Sequence, residues 1–104
     1  MPAVYYAVTA TLPDLATRDE FVHWLRTGHV QDVLRGGAVQ AEIIVLDPEA
    51  NRLAVKAVYA FPDRPTFERY VAEHAPRLRA EGVAKFGSRP GVSFIRELGS
   101  HIEF

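Results

Sequence analysis

Along residues 3–12, Tyr6, Val8, Ala10 and Leu12 alternate with Tyr5, Ala7, Thr9 and Thr11, and this period of two predicts a strand with one oilier face. Pro13 and Asp14 end it. Thr17 and Glu20 then form a capping-box pattern, predicting a helix that begins at Arg18. Phe21, Trp24 and Leu25 share one face of that helix, opposite Asp19, His23 and Arg26. Gly28 suits the left-handed position that closes a helix, and after His29 the residues Val30, Val33 and Leu34 repeat the helical spacing in a short turn stopped by Gly36 and Gly37.

Two strand-like runs, AVQAEIIVL and RLAVKAVYAF, fill residues 38–61 on either side of Asp47-Pro48-Glu49-Ala50-Asn51, whose Asp, Pro and Asn are turn formers; they predict an antiparallel hairpin. Asp63 is the expected N-cap of a second long helix, with Pro65 in its first turn. Phe67, Tyr70, Val71, His74 and Leu78 make its apolar stripe, and Glu73 and Arg77 stand at pairing distance. Pro76 withholds a donor and restrains Ala75, so the helix should kink near His74 and restart to about Phe86. GVSFIREL, residues 91–98, is the last strand.

The order strand, helix, strand, strand, helix, strand predicts an α+β protein: a ferredoxin-like βαββαβ arrangement, a four-stranded antiparallel sheet with both helices on one face. The halves echo each other at an offset of about 45 residues, His29 falling opposite His74. Helices cover one sheet face only. Leaving the other, with Tyr5, Ala7, Thr9 and part of the hairpin, in water at about 25 cal/mol per Å² would cost several kcal/mol, so a homodimer closed through its sheet faces, a dimeric α+β barrel, is expected.

Composition narrows the function. At 104 residues a single domain over residues 1–104 is expected, with 48% hydrophobic and 24% charged residues. The net charge of -1 comes without a basic cluster, so neither nucleic acid nor an anionic membrane surface is an expected partner. With no cysteine there is no disulfide, thiolate metal site or thiol nucleophile. The opening MPAVYYAV lacks a positive n-region and is too short to span a bilayer, which makes a cytoplasmic location the expectation. No GxSxG, P-loop, GxGxxG or HExxH motif occurs.

The candidate chemistry is carried by two histidines, each with two readings. His29 follows a helix end, either as a group that fixes the break or as a proton-transfer group at a pocket edge. His74 sits on an apolar stripe beside the kink, either as a core histidine satisfied by a freed carbonyl or as a general base or haem ligand. No third ligand accompanies them, so no metal site is assigned, and no cofactor. Trp24, Tyr6, Tyr59, Tyr70 and Phe94 are candidates to line a flat aromatic slot for a small hydrophobic or aromatic ligand, or else plain core. Arg96 shares a face with Phe94 and Leu98 and needs a partner or an edge position. Asp32 is read as a cap, and the Glu73, Arg77, Arg79 and Glu81 charges as a solvated helix face.

Trp24, the run His29-Val30-Gln31-Asp32-Val33-Leu34, the run from Tyr70 to Arg79 that contains Glu73-His74-Ala75-Pro76, then Phe86-Gly87 and Val92-Ser93-Phe94, resemble domain-of-unknown-function family 4286 over nearly the whole chain. The resemblance implies a ferredoxin-like, dimeric α+β barrel and no assigned activity. The family commonly has Glu before the first histidine and Pro two after it, where this chain has Gly28 and Gln31, so no charged neighbour for His29 is implied. Two function classes follow. One is a small-molecule binding or structural module; the other is a cofactor-independent monooxygenase or haem-degrading type of enzyme, between which fold analogy does not choose.

Overall fold

A computed structural model describes residues 3–49 and 52–104. Strand β1 (Val4–Leu12) runs down the middle of a four-stranded sheet, paired antiparallel with β3 (Leu53–Phe61) on one side and β4 (Ser93–Ser100) on the other, while β2 (Gln40–Val45) pairs antiparallel with β3. The order β2-β3-β1-β4, with helices after β1 and β3, is the ferredoxin-like α+β fold. Glu49 and Arg52 bridge to close the hairpin; Ala50 and Asn51 of its expected turn lie outside the described residues, as do Met1 and Pro2.

Alternation sorts the sheet into two faces. Val4, Tyr6, Ala10 and Leu12 of β1, with Val55, Ala57, Tyr59 and Phe61 of β3, form one core with Phe21, Leu25, Val33, Phe67, Tyr70, Leu78 and Phe86 from the helical side. The opposite face carries Tyr5, Ala7, Thr9 and Thr11, flanked by Lys56 and Val58 on β3 and Ile95 and Glu97 on β4. Lys56 Nζ reaches Glu97 at 3.3 Å across β1 and lies over the Tyr5 ring. Ile95 remains 59% exposed there and Ile44 38%.

Helix α1 (Leu15–Trp24) starts three residues before the expected Arg18. Its cap is Asp14, whose carboxylate accepts from the Thr17 backbone N–H at 2.7 Å. An ionised oxygen is a stronger acceptor for that donor than the threonine hydroxyl, so the capping-box reading gives way. Glu20 instead holds Arg89 through two contacts of 3.0 and 2.6 Å. Asp63 caps α3 (Arg64–Glu73) as expected, accepting from Thr66 N–H at 2.8 Å. These two caps lie 49 positions apart, as do the first residues of β1 and β3, so the halves repeat at 49 rather than 45 residues. In that frame His29 is the counterpart of Leu78, not of His74.

The second helix breaks at His74, where the backbone turns to φ -119°, and restarts as α4 (Ala75–Gly82), followed by a wide π-type turn, Val83–Gly87. Arg77 pairs with Glu81 at 2.9 Å rather than with Glu73, because the break carries Glu73 into a different helix. β4 begins two residues later than expected, at Ser93.

Candidate functional site

The α1 helix does not stop cleanly. The Leu25–His29 segment widens into a π-type turn, with Thr27 and Gly28 leaving helical geometry before α2 (Val30–Arg35) resumes. Gly28 takes φ +153° with ψ -44°, a positive-φ conformation outside the left-handed helical well, which a side-chain-bearing residue rarely adopts. Polar side chains satisfy the carbonyls that the break releases: the Thr27 hydroxyl donates to His23 C=O at 2.7 Å, and Gln31 Nε2 to Arg26 C=O at 2.9 Å. Asp32 does not cap α2; its carboxylate pairs with Arg35.

The break turns the His29 ring back onto Trp24, stacked at 4.2 Å between centroids and 24° between planes. Gly82 makes room for that indole, since a β-carbon there would stand 3.3 Å from its ring. Behind Trp24 and His29 lies a small cavity between helices and sheet that opens to solvent. Tyr6, Tyr59, Ala57 and Phe94 form its floor, Tyr70 and Leu78 one wall, and Trp24, Leu25 and His29 another. Arg96 from β4 and Arg79 and Val83 from the α4 side also line it.

All six residues named from the sequence as ligand contacts, Trp24, Tyr6, Tyr59, Tyr70, Phe94 and Arg96, line this space, and so does His29. His74 does not. Its ring stacks along Tyr70 and sits over Gly36, where a β-carbon would lie 3.2 Å from its Cγ. The two histidines, which fell opposite each other at the 45-residue offset, do not share the cavity, and the 49-residue repeat places them on non-equivalent turns. Arg79 is the converse case. It was read as part of a solvated helix face and is exposed there, and from that edge of α4 it also lines the cavity.

Two buried polar atoms here have no hydrogen-bond partner in the protein, His29 Nδ1 and the Tyr59 hydroxyl. Unpaired groups of this kind are costly in a fold and mark sites where a ligand or solvent completes the bonding. Burial holds the His29 imidazole below its ordinary pKa, with the charges of Glu81 and Asp32 pulling weakly the other way, so the ring is neutral at pH 7. Burial likewise pushes the Tyr59 and Tyr70 hydroxyls far above the usual phenol range; Arg79 and Arg96 oppose this at Tyr70. Among the described residues no group of three or more His, Asp and Glu side chains gathers as a metal site, and no helix is long and apolar enough to cross a membrane.

Comparison with known proteins gives a consistent fold. A dimeric ferredoxin-like protein from an uncultured marine organism superposes with a TM-score of 0.71 at 15% identity, over 100% of this chain and 99% of its own. The ActVA-Orf6 monooxygenase of Streptomyces coelicolor, solved in complex with the ligand Nanaomycin D, gives 0.71 at 19% identity over 99% of this chain and 90% of its own. SnoaB, a cofactor-independent oxygenase from Streptomyces nogalater, gives 0.65 at 14% identity over 100% and 97%. No curated protein matches the sequence. Over residues 3–100 the chain matches the model of a domain of unknown function, DUF4286, and it belongs to that family.

Proposed function

We propose that the protein is a homodimer whose helix–sheet cavity binds a small planar aromatic molecule, one oxygen of which meets His29 Nδ1 and the Tyr59 hydroxyl. The observation that carries this reading is the pair of unpartnered buried polar atoms beside a cavity lined mainly by aromatic and aliphatic side chains, with Arg79 and Arg96 its charged ones. Apolar walls with a few fixed polar groups are the usual composition of small-ligand sites. Trp24 is the sole tryptophan and lines the slot, so its fluorescence reports directly on occupancy. Titration with bicyclic and tricyclic phenols and quinones should give saturable quenching together with a rise in melting temperature. A panel giving neither removes the reading.

The dimer is supported by the uncovered sheet face, with exposed Ile95 and Ile44 around the Ala7–Thr9 strip, and by dimeric ferredoxin-like neighbours. Light scattering after size exclusion at micromolar concentration should give twice the chain mass, and a monomer there overturns it.

A second reading, cofactor-independent oxygenation of the bound molecule, is favoured by oxygenases of similar fold that span nearly the whole chain. In it, neutral His29 hydrogen-bonds the hydroxyl of a bound phenol and orients it, since burial of the ring disfavours the charged imidazolium that outright proton transfer would create. Oxygen uptake with anthrone-type substrates, abolished in His29→Ala, supports enzyme action. Quenching of Trp24 without oxygen uptake leaves a binding protein.

A further inference from the structure

The cavity's charges are one-sided. Arg79 from α4 and Arg96 from β4 both line it, and no Asp or Glu does. Among the described residues neither guanidinium lies within 4.0 Å of a carboxylate, whereas Arg18, Arg35, Arg77 and Arg89 each do. The two carboxylates whose charge is felt at His29 are themselves answered, Asp32 by Arg35 and Glu81 by Arg77. Both arginines are exposed residues, so they stand at the cavity's open side rather than in its apolar interior. Two cations without a carboxylate partner in the lining of one cavity leave a local positive excess on a chain whose net charge is -1.

Resting on the binding reading above, we infer that the ligand is an anion: a planar aromatic acid or enolate whose charged oxygen lies between Arg79 and Arg96, with its far end at His29 and Tyr59. Guanidinium forks hold such oxygens through charge-assisted hydrogen bonds, stronger than neutral ones. A neutral quinone of the same shape fills the slot without using either arginine. The inference thus concerns preference between two ligands of equal size, and not whether the slot binds.

The test compares lawsone, a hydroxynaphthoquinone that is an anion at neutral pH, with menadione, its neutral methyl relative, by Trp24 quenching and by melting shift. Lawsone should bind about tenfold more tightly, as charge-assisted bonds to the two guanidiniums imply. Raising ionic strength from about 0.05 to about 0.5 M should narrow that ratio severalfold while leaving menadione unchanged, a readout that needs no variant. The double substitution Arg79→Gln and Arg96→Gln should abolish the preference, and Arg52→Gln, at the distant hairpin, should preserve it. Equal binding of the two quinones, or a preference that survives both salt and the double substitution, overturns the anion inference and leaves the aromatic slot standing. Binding of neither overturns both.

Discussion

Replacing Tyr59 by phenylalanine deletes one oxygen, and the structure fixes the sign of the result. Tyr59 is 2% exposed, stacks against Tyr6 at 6.0 Å, and its hydroxyl has no protein partner. An unsatisfied buried hydroxyl costs about 1–3 kcal/mol, and solvent entering from the cavity mouth recovers part of that. Tyr59→Phe should therefore leave the unliganded protein at least as stable as the parent, with a gain of up to about 2 kcal/mol. At about 4–8 °C per kcal/mol for a domain near this size, the gain is easily resolved in a melt. Urea unfolding at fixed protein concentration is the assay, since a dimer's stability depends on concentration. The same substitution should weaken the ligand. At one hundred times its dissociation constant a ligand stabilises the parent by about 2.7 kcal/mol, and a tenfold loss of affinity cuts that to about 1.4 kcal/mol at the same concentration. A variant less stable than the parent by about 1 kcal/mol, with the slope of the denaturant transition unchanged, would show that the hydroxyl bonds within the fold. That outcome refutes its role as a ligand-facing group.

Gly36→Ala should destabilise by about 1–3 kcal/mol, because its β-carbon would stand 2.8 Å from Tyr70 Cδ1 and that ring is held by Phe61 and Phe67; an unchanged denaturant midpoint contradicts the packing described. Gly28→Ala meets open space, so its expected loss of about 1–2 kcal/mol is backbone strain alone, and Gly28→Asn, which favours the left-handed helical well that this residue does not occupy, should recover none of it. For His29 the folded pKa lies below the ordinary value of 6.5, so the unfolded chain binds the proton more readily. Its neutral-state stability is complete above pH 6.5 and is lost as pH falls below that value. His29→Phe keeps a ring against Trp24 and should flatten the stability profile between pH 7 and 5 relative to the parent; identical profiles would place the imidazole in water.

What was legible in the sequence and what was not divides along a physical line. Strand faces follow from a period of two, so β1 and β3 and the ring residues that floor the cavity, Tyr6 and Tyr59, could be read locally. Asp63 was legible as a cap because no rival acceptor stands beside it. Asp14 was hidden behind Pro13, where the pair reads as a turn, and behind the competing Thr17–Glu20 pattern. The site itself draws on β1, β3, β4, α1, the Leu25–His29 break, α3 and α4, so no local pattern contains it. Register between the halves decided which histidine enters, and there the aromatic echo misled. Trp24 and Tyr70 resemble each other in chemistry, but composition drifts between halves while a cap is tied to the first free N–H groups of a helix. Aligning the halves by their caps puts Leu78 opposite His29, which makes the imidazole a departure from the pseudo-symmetry at a position where the other half needs only an apolar wall. A polar residue that breaks an apolar equivalence, and is then left unpartnered in the fold, is the position to which chemistry should first be assigned.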